Sequence, residues 1–373
     1  MCTLPGRPDD VNVWSGTPAH FLQGLRSVHD DVVTIGPLMP KAYWALNNLS
    51  NLTGRLSRKI NWEVEPAALK QFTKAFDREL VVLRPDVAIL MGWVPWKSAS
   101  DVPLIYWGDA TVGQRLGMSP HWSDLSTRTR GIAQRVEGES LRKLDAVLMP
   151  SRWAADDTMS RYGIRNTFIA PFGCNIEDPG AFKRSAPQPA TVKLLSVGVK
   201  WRRKGLDTAV EVADILNRSG VDVHLDIVGV NPPADSWRRD YVTYHGFLSK
   251  TAGQEKTLLD ELYRDADIFL MPTRNDPFPM VLAEAAAYGL PVVASDVGGV
   301  PDRVETGVAG VLLKSGAAAA KYADVVMGVV SDQSVYGGMS TSARTRYETD
   351  FTWERCAASV VSIASVVAGQ ADR

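Results

Sequence analysis

Thr273-Arg-Asn-Asp-Pro-Phe-Pro-Met-Val-Leu-Ala-Glu-Ala-Ala-Ala-Tyr-Gly-Leu-Pro-Val-Val-Ala-Ser-Asp-Val-Gly-Gly299 is the stretch whose reading decides the fold. It reads as a loop, a helix of small residues, a Gly-Leu-Pro stop, a short apolar strand and a Gly-Gly turn. Asp276 and Glu284 stand on either side of the loop-to-helix junction. A helix N-terminus offers unpaired N–H groups and partial positive charge, a natural seat for a phosphate. A carboxylate before that seat and another one turn inside the helix are placed to hold hydroxyls, the arrangement a nucleotide sugar requires.

Working outward, short apolar runs alternate with helical patterns along the whole chain. Asp31–Gly36, Val87–Met91, Leu104–Trp107, Ala146–Met149 and Thr167–Ala170 read as strands, with helices from Pro18, over Pro66–Val82 and over Gly131–Lys143. A Pro-rich stretch, Asp178–Pro189, reads as a linker. A second series follows: strands at Val192–Val197, Val223–Val228, Val242–His245, Ile268–Met271 and Val311–Leu313, and helices at Leu206–Asn217 and Thr257–Arg264. This alternation predicts α/β architecture with mostly parallel, doubly covered sheets. The expected division is 1–180, 190–348 and a final helix over 349–373 that packs back on the first domain. Ligands in such sheets lie beyond the carboxyl ends of the strands, so the site is expected in the cleft between the domains. Only ten residues precede Val11, and they contain Pro5, Gly6 and Pro8, so the first strand is expected to be very short or to precede the recorded chain.

Composition limits the function classes. At 373 residues, with 45% hydrophobic and 22% charged residues, the chain reads as a soluble two-domain protein. A net charge of −1 argues against a nucleic-acid partner. Cys2, Cys174 and Cys356 have no metal-type spacing and read as free thiols in a reducing compartment. The N-terminus has no apolar segment of signal-peptide length, and no apolar run approaches the ~20 residues that span a bilayer, so a cytoplasmic location is expected.

The Gly289-Leu-Pro-Val-Val-Ala-Ser-Asp-Val-Gly-Gly299 run after a Glu-containing helix closely resembles retaining glycosyltransferases of family 4, which have the GT-B fold. Trp14-Ser-Gly-Thr-Pro18 is similar to that family's first glycine loop, and Pro150-Ser-Arg-Trp-Ala-Ala155 to its Ser-x-Trp-Ala element. Pro171-Phe-Gly-Cys-Asn175 resembles its turn before the linker, Val197-Gly-Val-Lys-Trp-Arg-Arg-Lys-Gly205 its phosphate loop, and Phe351-Thr-Trp353 the start of its last helix. The resemblance implies two Rossmann-like domains facing each other across a cleft. It also implies transfer of a sugar, with retention, from a nucleoside-diphosphate sugar to a sugar, lipid-linked or other hydroxyl acceptor, with no bound metal or cofactor.

Carried over residue by residue, the resemblance implies that Glu284 holds the ribose hydroxyls and Asp276 the sugar hydroxyls. An ionised carboxylate accepts two hydrogen bonds from a vicinal diol. Asp276 departs from the family's glutamate by one methylene and also reads as a helix N-cap. Pro277 and Pro279 have no N–H, so Phe278 and Met280 carry the backbone donors there. Lys204 and Arg203 are implied to bind the diphosphate and to stabilise the charge that builds on the leaving oxygens. Val199 stands where many members have arginine, with Lys200 or Arg202 as further candidates. Gly16 and Thr17 are implied to approach the diphosphate from the first domain, or to form an ordinary helix start. Asp109 occupies a loop near the sugar or the acceptor, or caps the next helix. His245-Gly-Phe-Leu248 resembles the loop whose backbone meets the base, with the His245 side chain read as structural.

Two other classes stay open: a sugar-nucleotide epimerase on the same fold, and a non-catalytic sugar-nucleotide-binding subunit. Arg55-Leu-Ser-Arg-Lys59 reads as a solvated helix, with weak peripheral contact to anionic lipid as the alternative.

Overall fold

The computed structural model describes residues 1–3, 6–38, 65–118, 122, 125–180, 184, 191–251 and 253–371. The basic segment around Arg55 and most of the expected linker lie outside the described residues. The chain forms two compact units, Met1–Gly173 with Trp353–Arg373, and Cys174–Thr352.

The first unit is built on a parallel five-stranded sheet in the order β1-β2-β3-β4-β5. The strands are β1 (Cys2–Thr3), β2 (Ala88–Met91), β3 (Leu104–Trp107), β4 (Ala146–Met149) and β5 (Thr167–Ile169). β2, β3 and β4 are buried at every position, as continuous apolar runs must be when helices cover both faces. The first strand is therefore present but only two residues long. The strand expected at Asp31–Gly36 does not form; Ile35 alone bridges to Cys2. Val33 stands half exposed and Gly36 turns into the left-handed region at φ 135°, so this run lacks both a buried face and room to extend.

The helices of this unit are α1 (Thr17–Val28), α2 (Pro66–Leu83), α3 (Val112–Arg115), α4 (Thr127–Leu141) and α5 (Arg152–Tyr162). α2 buries Leu69, Phe72, Phe76 and Leu80, an i, i+3, i+4 stripe. α4 begins earlier than its apolar pattern indicates because the Ser126 side chain accepts the Thr129 N–H and caps it.

The second unit has a parallel six-stranded sheet in the order β11-β10-β9-β6-β7-β8. Its strands are β6 (Val192–Val197), β7 (Val223–Val228), β8 (Val242–Gly246), β9 (Ile268–Met271), β10 (Val292–Asp296) and β11 (Gly310–Lys314). Its helices are α6 (Leu206–Arg218), α7 (Gly253–Asp265), α8 (Met280–Ala287), α9 (Val300–Arg303), α10 (Ala319–Ser331) and α11 (Gln333–Arg346). Strand order reverses between β6 and β9, and a crevice opens beyond the carboxyl ends at such a reversal.

α12 (Trp353–Ala371) belongs to the first unit and packs along α1. Gly24 of α1 makes the close approach possible: a Cβ there would lie 2.7 Å from the Trp353 carbonyl oxygen. The helical run Gln333–Gln370 is long and apolar enough to cross a membrane by length and composition, which the sequence reading did not anticipate. Within α12, Trp353, Cys356, Ala357, Val360, Ala364 and Val367 are buried, the one-sided stripe of an amphipathic helix.

Candidate active site

The loops after β6 and β9 meet at the reversal point of the second sheet. Gly205 has φ 71°, and a Cβ there would lie 1.9 Å from the Pro272 carbonyl oxygen. Only glycine combines that backbone with that contact. The Arg203 carbonyl accepts the Arg274 amide and the Thr273 hydroxyl, both at 2.9 Å, and so ties the two loops together. The consequence is an ion pair between the Lys204 ammonium and Asp276 Oδ2, with both residues buried. The Arg203 guanidinium follows the same segment and reaches the Asn275 carbonyl at 3.5 Å.

Asp276 is not a helix cap. α8 starts four residues later with Pro279 at its N-cap. Instead the Asp276 carbonyl accepts the Gly299 amide at 3.2 Å. Gly298 has φ 56°, and a Cβ on it would stand 2.0 Å from that same carbonyl oxygen. The Gly-Gly turn therefore holds the segment that carries Asp276.

Glu284 lies in α8 and is fully buried. Its Oε1 pairs with the Lys250 ammonium, and its Oε2 accepts the Tyr263 hydroxyl at 2.9 Å. Burial, reinforced by the Glu284 charge, holds the Tyr263 hydroxyl well above the usual tyrosine range. Burial also pushes the Cys174 thiol up to about 12, again with the Glu284 charge adding to it. A carboxylate offers about four acceptor positions, and these two bonds take one on each oxygen.

Met280 opens α8, so its amide precedes the first intrahelical bond. Phe278 is buried with its ring 3.9 Å beneath the Arg303 guanidinium, and the Met280 sulfur accepts from Arg303 at 3.5 Å. Lys204, Arg203, Asp276 and Phe278 thus fall on two touching loops and Met280 opens α8 directly after them, while Glu284 lies further along α8 in its own polar cluster.

Residues 191–332 match the family model described as glycosyl transferases group 1. A glycogen synthase from Mycobacterium tuberculosis is 28% identical over 296 residues, covering 75% of this chain and 68% of its own. A D-inositol 3-phosphate glycosyltransferase from Paenarthrobacter aurescens is 28% identical over 55% of this chain, and the chain spans only 53% of its length. Anabaena HepE, solved in complex with UDP, superposes with a TM-score of 0.62 at 15% identity, covering 98% of each chain.

This is a glycosyltransferase of the GT-B fold.

The enzyme's first unit carries the remaining candidates, Gly16, Thr17 and Asp109. Gly16 has φ 82° and is the N-cap of α1, so Thr17 is the first helical residue rather than the cap. Trp14 and Ser15 also have positive φ, at 47° and 58°, so the three residues before α1 form a left-handed run. Asp109 does not cap α3. Thr111 does, in a reciprocal capping box with Gln114, while Asp109 accepts from the Arg115 guanidinium at 2.7 Å. Burial opposes the Arg115 charge, but the neighbouring Asp109, Tyr106 and Glu137 outweigh it and raise its pKa.

Among the glycosyltransferase's basic loop residues, Val199 is exposed and Arg202 is drawn to Asp207 at 3.2 Å. Arg274 also binds Asp207, at 2.7 Å, which leaves Arg203 nearest the Asp276 segment. The His245 imidazole is hydrogen bonded to Asp226 at 2.7 Å. Sequence reasoning missed Lys250, Tyr263 and Arg303. The only local signal was position: Lys250 follows the His245–Leu248 loop, and Arg303 follows the Gly-Gly turn.

Proposed function

We propose that the enzyme transfers a sugar from a nucleoside-diphosphate sugar to an acceptor hydroxyl with retention of anomeric configuration. The observation that carries this reading is the buried Lys204–Asp276 pair at the reversal point of the second sheet. An ammonium has three N–H donors, so Lys204 can keep Asp276 and still reach a diphosphate. Asp276 then faces the sugar beside that diphosphate, Arg203 adds positive charge, and Glu284 takes the ribose hydroxyls. The amides of Phe278 and Met280 supply further donors to the sugar and its phosphate. The UDP bound by the HepE relative supports a nucleotide ligand on this fold.

In the reaction, the bond between the anomeric carbon and the diphosphate oxygen breaks. The acceptor oxygen bonds to the same face of that carbon, and its proton passes to a departing phosphate oxygen. Negative charge grows on the leaving group, where the fixed cations stabilise it more than in the ground state. Buried cysteines outside any disulfide, Cys2 and Cys174 among them, support a reducing, cytoplasmic setting.

The test is release of nucleoside diphosphate from a panel of UDP, GDP and ADP sugars. One donor should turn over, and Lys204→Ala and Glu284→Ala should both abolish release. Turnover that survives both substitutions refutes the site.

A further inference from the structure

Arg303, the last residue of α9, is a cation only 1% exposed, and no step of the proposed transfer uses it. Its guanidinium lies over the faces of two aromatic rings, 3.9 Å from the centre of Phe278 and 4.6 Å from that of Phe351. It also donates to the Met280 sulfur at 3.5 Å. We propose that Arg303 is a positioning residue for the leaving diphosphate: acting through Phe278 and Met280, it fixes the backbone amides that meet the phosphate next to the sugar. The assignment rests on the glycosyl-transfer reading.

The segment from Asp276 to Met280 needs such a support. It carries Pro277 and Pro279, which have no N–H with which to bind a neighbouring loop. Its front is anchored at Gly299, the N-cap of α9, whose amide donates to the Asp276 carbonyl at 3.2 Å. Pro277 packs against the same glycine, where a Cβ would lie 2.2 Å from the Pro277 carbonyl oxygen. Its back is held by side chains instead: buried Phe278 and Met280 both meet Arg303. One short helix, from Gly299 to Arg303, thus supplies the anchors at both ends of the segment.

A guanidinium is a costly way to fill a core position, because burial disfavours a charge that an apolar side chain would not bring. It contributes directional attraction instead. A desolvated cation over an aromatic face is held more strongly than one in water, and the planar fork donates in fixed directions. Arg303 is itself well backed. Phe351 is buried and its carbonyl accepts the Cys174 amide at 2.8 Å. The Arg346 guanidinium donates to the Asp302 carbonyl at 3.1 Å and to the Arg303 carbonyl at 3.3 Å. Position is what the donor amides require, since they stabilise a leaving oxyanion only when aimed before its charge develops. Met280 opens α8, so its amide is among the first-turn N–H groups that have no intrahelical acceptor.

The test is calorimetric titration of the full chain with UDP, GDP and ADP, each against its monophosphate. Wild type should bind one diphosphate more tightly than the matching monophosphate. Arg303→Met keeps a long side chain without the charge. It should weaken that diphosphate about tenfold and leave the monophosphate unchanged, so the ratio of the two dissociation constants falls about tenfold. A merely structural role would lower the fraction of protein that binds, which the stoichiometry reads, and would leave the ratio intact. Phe278→Leu removes the ring beneath the guanidinium and should lower the ratio likewise; it decides the matter if Arg303→Met fails to fold. The double variant should be no worse than the weaker single variant, because both remove the same contact. An unchanged ratio in the single variants overturns the proposal, and so do losses that simply add in the double variant. Donor turnover by wild type is measured separately. Its absence with every donor overturns the transfer reading, whereas turnover together with an unchanged ratio overturns the role of Arg303 alone.

Discussion

Lys204, on the loop after β6, and Asp276, on the loop after β9, neutralise each other across the strand pair at which the second sheet reverses. Neither loop has its conformation alone: Gly205 lies against Pro272, and the Arg203 carbonyl binds the Arg274 amide. Asp276→Ala would leave a buried ammonium without its partner, a change that costs about 3–5 kcal/mol. The expected result is a lowered melting temperature that nucleoside diphosphate restores more in the variant than in wild type, because phosphate replaces the missing charge. Equal protection of the two proteins would show that the diphosphate does not reach Lys204.

Glu284 depends on two partners from other elements, Lys250 and Tyr263. Tyr263→Phe removes one hydrogen bond to a buried carboxylate and should cost about 1–3 kcal/mol. A double-mutant cycle with Lys250→Met and Glu284→Gln should give a coupling of about 0.5–3 kcal/mol in denaturant unfolding. Strictly additive losses would mean that the pair contributes nothing in solution.

Gly298→Ala combines a left-handed backbone with a collision, since the new Cβ would stand 2.0 Å from the Asp276 carbonyl oxygen. Gly316→Ala is the control, with φ 77° and open space around it. The control should lose about 1–2 kcal/mol from backbone strain alone. Gly298→Ala should lose more and should also depress nucleoside diphosphate release. Matching behaviour in the two variants would separate the Gly-Gly turn from the Asp276 segment.

Glu137 gives a pH dependence of definite sign. Burial raises its carboxyl from an ordinary 4.5 to about 7, although Tyr162, Arg115 and the Val112 amide pull it back. Between those values the folded chain binds more protons than the unfolded chain. The contribution of Glu137 is therefore fully present below 4.5 and is lost as pH rises through about 7. Glu137→Gln keeps an acceptor for Val112 and Tyr162 but cannot titrate. Relative to the variant, wild type should lose on the order of 3 kcal/mol from pH ~4.5 to ~8. A wild-type-minus-variant difference that stays flat over this window would refute the shift.

Much of the site was legible because its chemistry is local. Glycines with positive φ, a lysine before Gly205 and a carboxylate inside a helix of small residues are all visible in short windows. Lys250 and Tyr263 were not legible, since each reaches Glu284 from a different loop or helix. Asp109 and Thr17 were assigned cap-like alternatives that belong to Thr111 and Gly16, because capping depends on which residue leaves helical geometry first. Asp31–Gly36 resembled a strand but gained only one bridge, because β-propensity means little without a buried face to fill.

By itself, then, the sequence determined the alternation of strands and helices, the second parallel sheet and the identity of Lys204, Asp276 and Glu284 as its polar residues. Periodicity and turn chemistry act over a few residues, so they survive in a linear reading. Only the tertiary structure decided which charge each of them meets: Asp276 for Lys204, Lys250 and Tyr263 for Glu284, Arg115 for Asp109. Those partners lie as many as 72 residues apart. Their pairing follows from strand order and packing, which bring distant loops to the same end of a sheet.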